Sequence, residues 1–344
     1  MDDRNAQVGW TEAQWNRVRE EVLQAWQRVR VAGSFLPIYG PLPPSTQVVP
    51  SEVIKPDGSV DDRATADLLE IALPVSLSRQ QIWEEDLSSA LLQFRRRATQ
   101  LGQFEDWFIF NGTYPSIKPL PDARAAFAQA EKVGHPGYRP ELAHLNAQDP
   151  SQGARISGTP MPIEGVSQDH QIEGMRQRNP GSLGLIGAPR VEQASPKIPL
   201  DSDGLMKAIV GAINSLEDNG YVAPYVCVFG RNPFEAAFKS IPNSTVLPRD
   251  RIEPLIGREL LHASGIDILP QKSGPYNLDR EEWQSRGVLL SMANEPIDLA
   301  LAAEATPEFR QVDLEGRYVF SVFERFALRI KDVNAIVPLM FEKP

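Results

Sequence analysis

The residues whose types could do chemistry are few: four histidines, one cysteine and three short charged or glycine-rich runs. A metal site or an activated nucleophile needs such groups at fixed spacing. His135, His144, His170 and His262 form neither a His-Glu-x-x-His pattern nor a Cys-His pair. Asp169-His170 with Glu173 would put two ligands on one helical turn, but the flanking residues are weak helix formers, so no metal is assigned. Cys227 lies in the apolar run Tyr225-Val226-Cys227-Val228-Phe229, which points to a buried, inert thiol. Gly181-Ser182-Leu183-Gly184-Leu185-Ile186-Gly187 has glycines three apart but no strand leading into it. A close-packed turn is expected there rather than a nucleotide loop. Glu84-Glu85-Asp86 reads as a solvated face, and Arg95-Arg96-Arg97 fans around a helix and is expected to pair with neighbouring carboxylates. No Gly-x-Ser-x-Gly elbow occurs. No catalytic residue and no cofactor is assigned, and the chain is expected not to be an enzyme.

With nothing catalytic to position, the elements themselves carry the reading. The chain has 344 residues, of which 42% are hydrophobic, and a net charge of −10. That suits a large buried core and argues against unaided binding to nucleic acid or anionic lipid. A polar amino terminus and the lack of a long apolar stretch lead to the expectation of a cytoplasmic protein without a membrane span.

Thr11-Glu12-Ala13-Gln14 has the form of a helix capping box. Behind it Trp15, Val18, Val22, Trp26 and Val29 recur every three or four residues, so they share one helical face. Pro56-Asp57-Gly58-Ser59 is a turn signal, and it predicts a hairpin with arms Gln47 to Ile54 and Leu68 to Leu77. Leu87, Leu91, Phe94, Ala98, Leu101 and Phe108 predict a long helix ending at Asn111-Gly112. From Tyr114 to about Leu200 prolines and glycines break the pattern, and residues 114–180 read as an insertion or extended arm. Beyond it, Leu205, Ile209, Ile213 and Leu216 predict a helix capped by Asn219-Gly220. A helix over Arg251 to Ala263 and strands over Tyr225 to Phe229, Ile266 to Leu269, Val288 to Met292 and Ile297 to Leu301 follow. Tyr318 to Ile330 predicts a long strand with a bulge near Glu324-Arg325. The fold class is α+β.

Taken in order, these segments resemble an encapsulin. The helix is followed by Gly40-Pro41-Leu42, as in that family. The family run "VxLPFxLSR" is matched by Leu69-Glu70-Ile71-Ala72-Leu73-Pro74-Val75-Ser76-Leu77-Ser78-Arg79. "EDxxIFNG" is matched by Glu105-Asp106-Trp107-Phe108-Ile109-Phe110-Asn111-Gly112, the most specific of the set. Gly181 to Gly187 resembles "GIxGI", and Pro224-Tyr225-Val226-Cys227-Val228-Phe229-Gly230 resembles "PYxLVLG". Val288-Leu289-Leu290-Ser291-Met292 and Glu324-Arg325-Phe326-Ala327-Leu328-Arg329-Ile330 are similar to the family's last two strands. The insertion at 114–180 has no counterpart.

The resemblance implies the tailed-phage capsid fold and a shell protein that self-assembles into an icosahedral nanocompartment. It implies an N-terminal arm at 1–40 and an extended loop at 41–75. A peripheral domain would span 76–201 and 306–344, and an axial domain 202–305. The implied cargo carries a C-terminal targeting peptide and is a ferritin-like protein or a dye-decolorising peroxidase. Its groove would be lined by Val18, Val22, Trp26, Val29, Leu36, Ile38 and Tyr39, with Trp26 as the anchor. The fivefold pore would be lined by Ser240, Ile241, Pro242, Asn243, Ser244, Thr245 and Val246. The alternative is a phage or prophage-derived capsid that packages nucleic acid, which the acidic charge disfavours.

Overall fold

The computed structural model describes residues 5–55, 58–112, 155–157, 175–189, 197–240, 245–267 and 285–342. Helix α1 (Glu12–Gln27) begins at the capping box: the Gln14 N–H donates to Thr11 Oγ1 and the Thr11 N–H to Gln14 Oε1. The spine helix α2 (Ser88–Asn111) is 24 residues long, about 36 Å at the helical rise. The acidic run before it closes its first turn. Glu84 accepts from the Ser89 N–H at 3.0 Å and from its hydroxyl at 2.8 Å, and Asp86 accepts from the Ser88 N–H. Carboxylates satisfy the free N–H groups of a helix start and complement its dipole. Arg95 forms a two-pronged pair with Glu21 on α1, which ties the helices across their exposed edge.

In chain order the described strands are β1 (Ile38–Tyr39), β2 (Val48–Pro50), β3 (Val53–Ile54), β4 (Val60–Asp61), β5 (Thr65–Asp67), β6 (Leu69–Leu77), β7 (Arg155–Ser157), β8 (Tyr225–Phe229), β9 (Leu261–His262), β10 (Arg286–Ser291), β11 (Ile297–Val312), β12 (Tyr318–Ile330) and β13 (Ile336–Met340). One sheet runs β1-β11-β12-β6-β7 and a second runs β13-β10-β8-β9. Helices α1 and α2 cover the first sheet. On β6, Leu69, Ile71, Leu73, Val75 and Leu77 alternate into this core, as their spacing predicts. Each such side chain contributes about 1.5–3 kcal/mol on burial. The second sheet packs against α3 (Ser202–Asp218) and α5 (Pro248–Ile256), with α4 (Arg231–Ala237) beside them.

Four sequence expectations change. The hairpin's second arm is β4 and β5, not Leu68 to Leu77, because β2 pairs with β5 and β3 with β4. Leu69–Leu77 instead pairs with β12 along its whole length. The expected bulge at Glu324-Arg325 is absent: the β12–β6 register is unbroken from Tyr318 to Phe326. The irregularities lie on the partner side, where β11 shifts register between Leu301 and Thr306 and again after Phe309. Glu324 therefore points into the core in phase with Val322 and Phe326. The helix expected over Arg251 to Ala263 stops at Gly257, whose φ of 75° ends it, and Ile266 closes a single 3-10 turn instead of starting a strand.

Candidate functional site

The residues that could do chemistry are held as structural parts. Cys227 is fully buried in β8, and desolvation pushes its thiol far above its ordinary pKa, so it is no nucleophile at neutral pH. His262 packs against Phe234 with ring centroids 4.9 Å apart. His135, His144 and the Asp169-His170-Glu173 group lie outside the described residues. Among the described residues, no cluster of three or more metal-ligating side chains occurs.

Two of the family-like motifs, Glu105 to Gly112 and Gly181 to Gly187, meet at one joint. Asn111, at the end of α2, donates to the carbonyls of Trp107 and Gly265 at 3.0 and 2.8 Å. Its side-chain oxygen accepts from the buried Arg286 of β10 at 3.0 Å, and Arg286 also donates to the Ile266 carbonyl. One amide thus ties the first sheet's helix to the second sheet. The turn at Pro180–Gly187 wedges in beside it. A Cβ on Gly184 would lie 2.3 Å from the Gly112 nitrogen, and one on Gly181 only 1.8 Å from the Leu328 carbonyl oxygen. The glycines are there because backbone meets backbone. This is the close-packed turn that their spacing suggested.

The structure divides the expected cargo residues. Val18, Val22 and Trp26 are 0% exposed and Leu36 is 4% exposed, all within the subunit's own core. Within the subunit they present a peptide no surface, Trp26 included. Its ring lies under the Arg30 guanidinium at 3.7 Å, and its indole N–H donates to Glu324 at 2.6 Å. The physical reason is that β11, β12 and α2 already cover this stripe of α1. Val29 is half-buried. Ile38 and Tyr39 are 53% and 38% exposed. They sit on β1, which ends the first sheet, beside a pocket of about 290 Å³ also lined by Pro37, Pro50, Arg329 and Lys331. The Arg329 guanidinium stacks on Tyr39 at 3.6 Å and clasps Asp298 at 2.6 and 2.7 Å, and Lys331 reaches the same carboxylate at 3.0 Å.

The hairpin β2–β5 lies on the same face of this sheet as Asp298 and Arg329, whose guanidinium donates to the Pro50 carbonyl. Val49 and Ala66 pack on Ala300, Ala302 and Ala327, while Val48, Ile54 and Val60 point outward and are exposed. Of the expected pore residues, Ser240, Thr245 and Val246 are exposed between α4 and α5, and Ile241, Pro242, Asn243 and Ser244 lie outside the described residues. Most of the 114–180 insertion lies outside them too. Of its described parts, β7 adds to the edge of the first sheet beside β6. Among the described residues no helix is long and apolar enough to cross a membrane.

The architecture matches known shells. The virus-like particle from Pyrococcus furiosus superposes with a TM-score of 0.56 at 11% identity, over 96% of this chain and all of that one. The holo encapsulin complex from Synechococcus elongatus PCC 7942 does so with a TM-score of 0.50 at 9% identity, over 90% of this chain and 86% of that one. The fold is the capsid fold shared by encapsulins and tailed-phage major capsid proteins. No curated protein matches the chain in sequence. The family described as "Encapsulating protein for peroxidase" matches residues 178–274, a span that holds the Pro180–Gly187 turn, α3 and β8. Over residues 178–274 the chain is thus similar to that family, and over most of its length it has the fold of these shell subunits.

Proposed function

We propose that this chain closes into an icosahedral shell in the cytoplasm, encloses a cargo enzyme and performs no catalysis itself. The observation that carries this reading is the hairpin β2–β5. Its inner face rests on its own subunit through Val49 and Ala66, and its outer face leaves Val48, Ile54 and Val60 uncovered. Exposed apolar residues on a two-stranded ribbon call for a partner surface, and a capsid fold supplies one in a second copy of the chain. Deleting 49–66 is expected to abolish particles in negative-stain micrographs while a soluble subunit remains. Intact particles from that deletion would count against the reading. The nucleic-acid content of the same wild-type preparation separates it from a genome-packaging capsid: a cargo shell carries none in fixed proportion.

Cargo docking belongs to the exposed remainder of the expected groove, Ile38 and Tyr39 with the half-buried Val29. An apolar peptide laid along β1 would cover Ile38 and meet the Arg329–Tyr39 stack. A few side chains buried at about 25 cal/mol per Å², less the cost of ordering the peptide, give modest affinity per site. Confinement in a closed lumen raises the effective concentration enough to compensate. The family's description names a peroxidase as what its members encapsulate, so a dye-decolorising peroxidase is the first cargo to test and a ferritin-like protein the second. Ile38→Asp is expected to strip co-purifying cargo at least tenfold while shells still form, since it places an unpaired charge where the peptide would desolvate it. Undiminished loading, weighed against shell protein on a denaturing gel, would move the cargo site elsewhere. The exposed residues Ser240, Thr245 and Val246 fit the rim of a polar fivefold pore.

A further inference from the structure

Beneath the joint between the N-terminal helix and the sheet lies a group of charges that neither assembly nor cargo docking uses. Glu105 and Asp106 come from α2, Glu324 from β12, and Arg30 from the turn after α1; all four are at least nine-tenths buried. Arg30 is spent on Glu105, donating from Nε at 2.6 Å and from Nη2 at 2.5 Å. Asp106 is held by two backbone N–H groups, those of Val31 and Ala32, each at 2.9 Å. Glu324 receives only the Trp26 indole N–H, at 2.6 Å on Oε2, and its Oε1 is buried without a hydrogen-bond partner.

Three carboxylates thus share one guanidinium. With all of them ionised the cluster would carry a net charge of −2 in a dry interior. The penalty for a buried ion is several kcal/mol unless pairing offsets it, and a buried acid without that pairing keeps its proton. Glu324 is the least supported of the three. The strands on either side bring it no compensating charge: β6 places Ile71 opposite it, and the β11 irregularity leaves Glu304 pointing to solvent.

We propose that this cluster is a proton-controlled latch, in which neutral Glu324 clamps the Trp26–Ala32 segment onto α2 and β12 and the ionised form releases it. Burial, and then the nearby Glu105 charge, push the Glu324 carboxyl well above its ordinary range, with Arg30 and Trp26 pulling back and Asp106 pushing further. Burial pushes Asp106 up to about 7, against the pull of the Val31 and Ala32 N–H groups. A carboxyl raised by folding adds stability that is complete below its unfolded value, about 4. That stability falls as pH rises and is gone above the folded value. For Asp106 the loss is over near neutrality; for Glu324 it ends only when pH has passed its own raised folded value. The latch therefore holds in acid and loosens progressively as pH rises.

Two measurements on the purified full-length protein test this. The first is hydrogen exchange of the backbone amides from Trp26 to Leu36 between about pH 6 and about pH 9, corrected for base-catalysed intrinsic exchange. In the wild type, protection is expected to fall with pH, toward a limit of about tenfold per pH unit until Glu324 has ionised. In Glu324→Gln, which keeps an acceptor for the indole but has no proton to lose at that position, protection is expected to stay flat once Asp106 has titrated near neutrality. Equal pH profiles in the two proteins overturn the proposal. The second measurement needs no variant. Infrared titration of the wild type is expected to retain, at neutral pH, protonated-carboxyl C=O intensity beyond that of Asp106. Its absence overturns the proposal even if Glu324→Gln fails to fold.

Discussion

Gly181→Ala is expected to yield no closed particles and little soluble protein. The added Cβ would stand 1.8 Å from the Leu328 carbonyl oxygen, with the carbonyl carbon at 2.8 Å. Both atoms are backbone of β12, which at Leu328 is paired with Leu299 of β11, so neither can rotate away. Overpacking against mobile side chains costs about 1–3 kcal/mol. Here relief requires moving the turn at Pro180–Gly187 off the sheet, which also strips the Gly112–Gly184 contact, so a loss of at least about 3 kcal/mol is expected. That is a large share of the stability of an ordinary domain. Gly211→Ala is the control. Gly211 lies inside α3 with open space where its Cβ would be. That change is expected to raise stability by about 0.5–1 kcal/mol. Soluble yield, particle counts and melting temperature of the two variants side by side check both signs. Normal particles from Gly181→Ala would mean that the turn does not bear on β12 as described.

What could be read from the chain alone follows how strongly burial repeats along it. The capping box at Thr11, the spine helix and the alternation from Leu69 to Leu77 are local patterns, and each lies where its spacing put it. The hairpin's second arm escaped because its inner face is built from small residues. Ala66 and Val49 sit on an alanine floor, and β4 and β5 carry little β signal of their own. The strong alternation next to it captured the assignment instead. The α1 stripe was legible as apolar, but a helical period says only that something covers that face. It does not say whether the cover is the subunit's own sheet or a cargo peptide, and for Val18, Val22 and Trp26 it is the sheet. Glu324 is visible in the sequence as a charge inside an apolar alternation, a pattern that predicts a bulge. Its partner Trp26 lies 298 residues away, so no local window contains the reason it can point inward. Asn111 and Gly112 stood out within the family motif, yet their job depends on Arg286 and the Gly184 turn, both remote in sequence.

Trp26 and Ile38 have opposite expected phenotypes, and the contrast separates core from cargo surface. Trp26→Ala removes one of the largest fully buried side chains of the molecule. Truncating a buried tryptophan costs about 3–5 kcal/mol through lost transfer energy and the cavity left behind. The same change takes the aromatic face from under Arg30 and the only hydrogen-bond donor from Glu324. An aromatic–cation contact in a desolvated site adds about 2 kcal/mol, and a buried acceptor left unsatisfied costs about 1–3 kcal/mol. These contributions share atoms and do not simply add, but each has the same sign. Trp26→Ala should therefore lower the melting temperature sharply and deplete particles whether or not cargo is co-expressed. Trp26→Phe should fall between it and the wild type, because it keeps most of the volume and the face under Arg30 while losing the N–H. Ile38→Asp, at a half-exposed position, should leave melting and particle yield near wild type and change only loading. If Trp26→Ala instead formed shells of normal stability that lacked cargo, the indole would be a docking anchor after all, and the packing of α1 on β12 would have to open in the assembled shell.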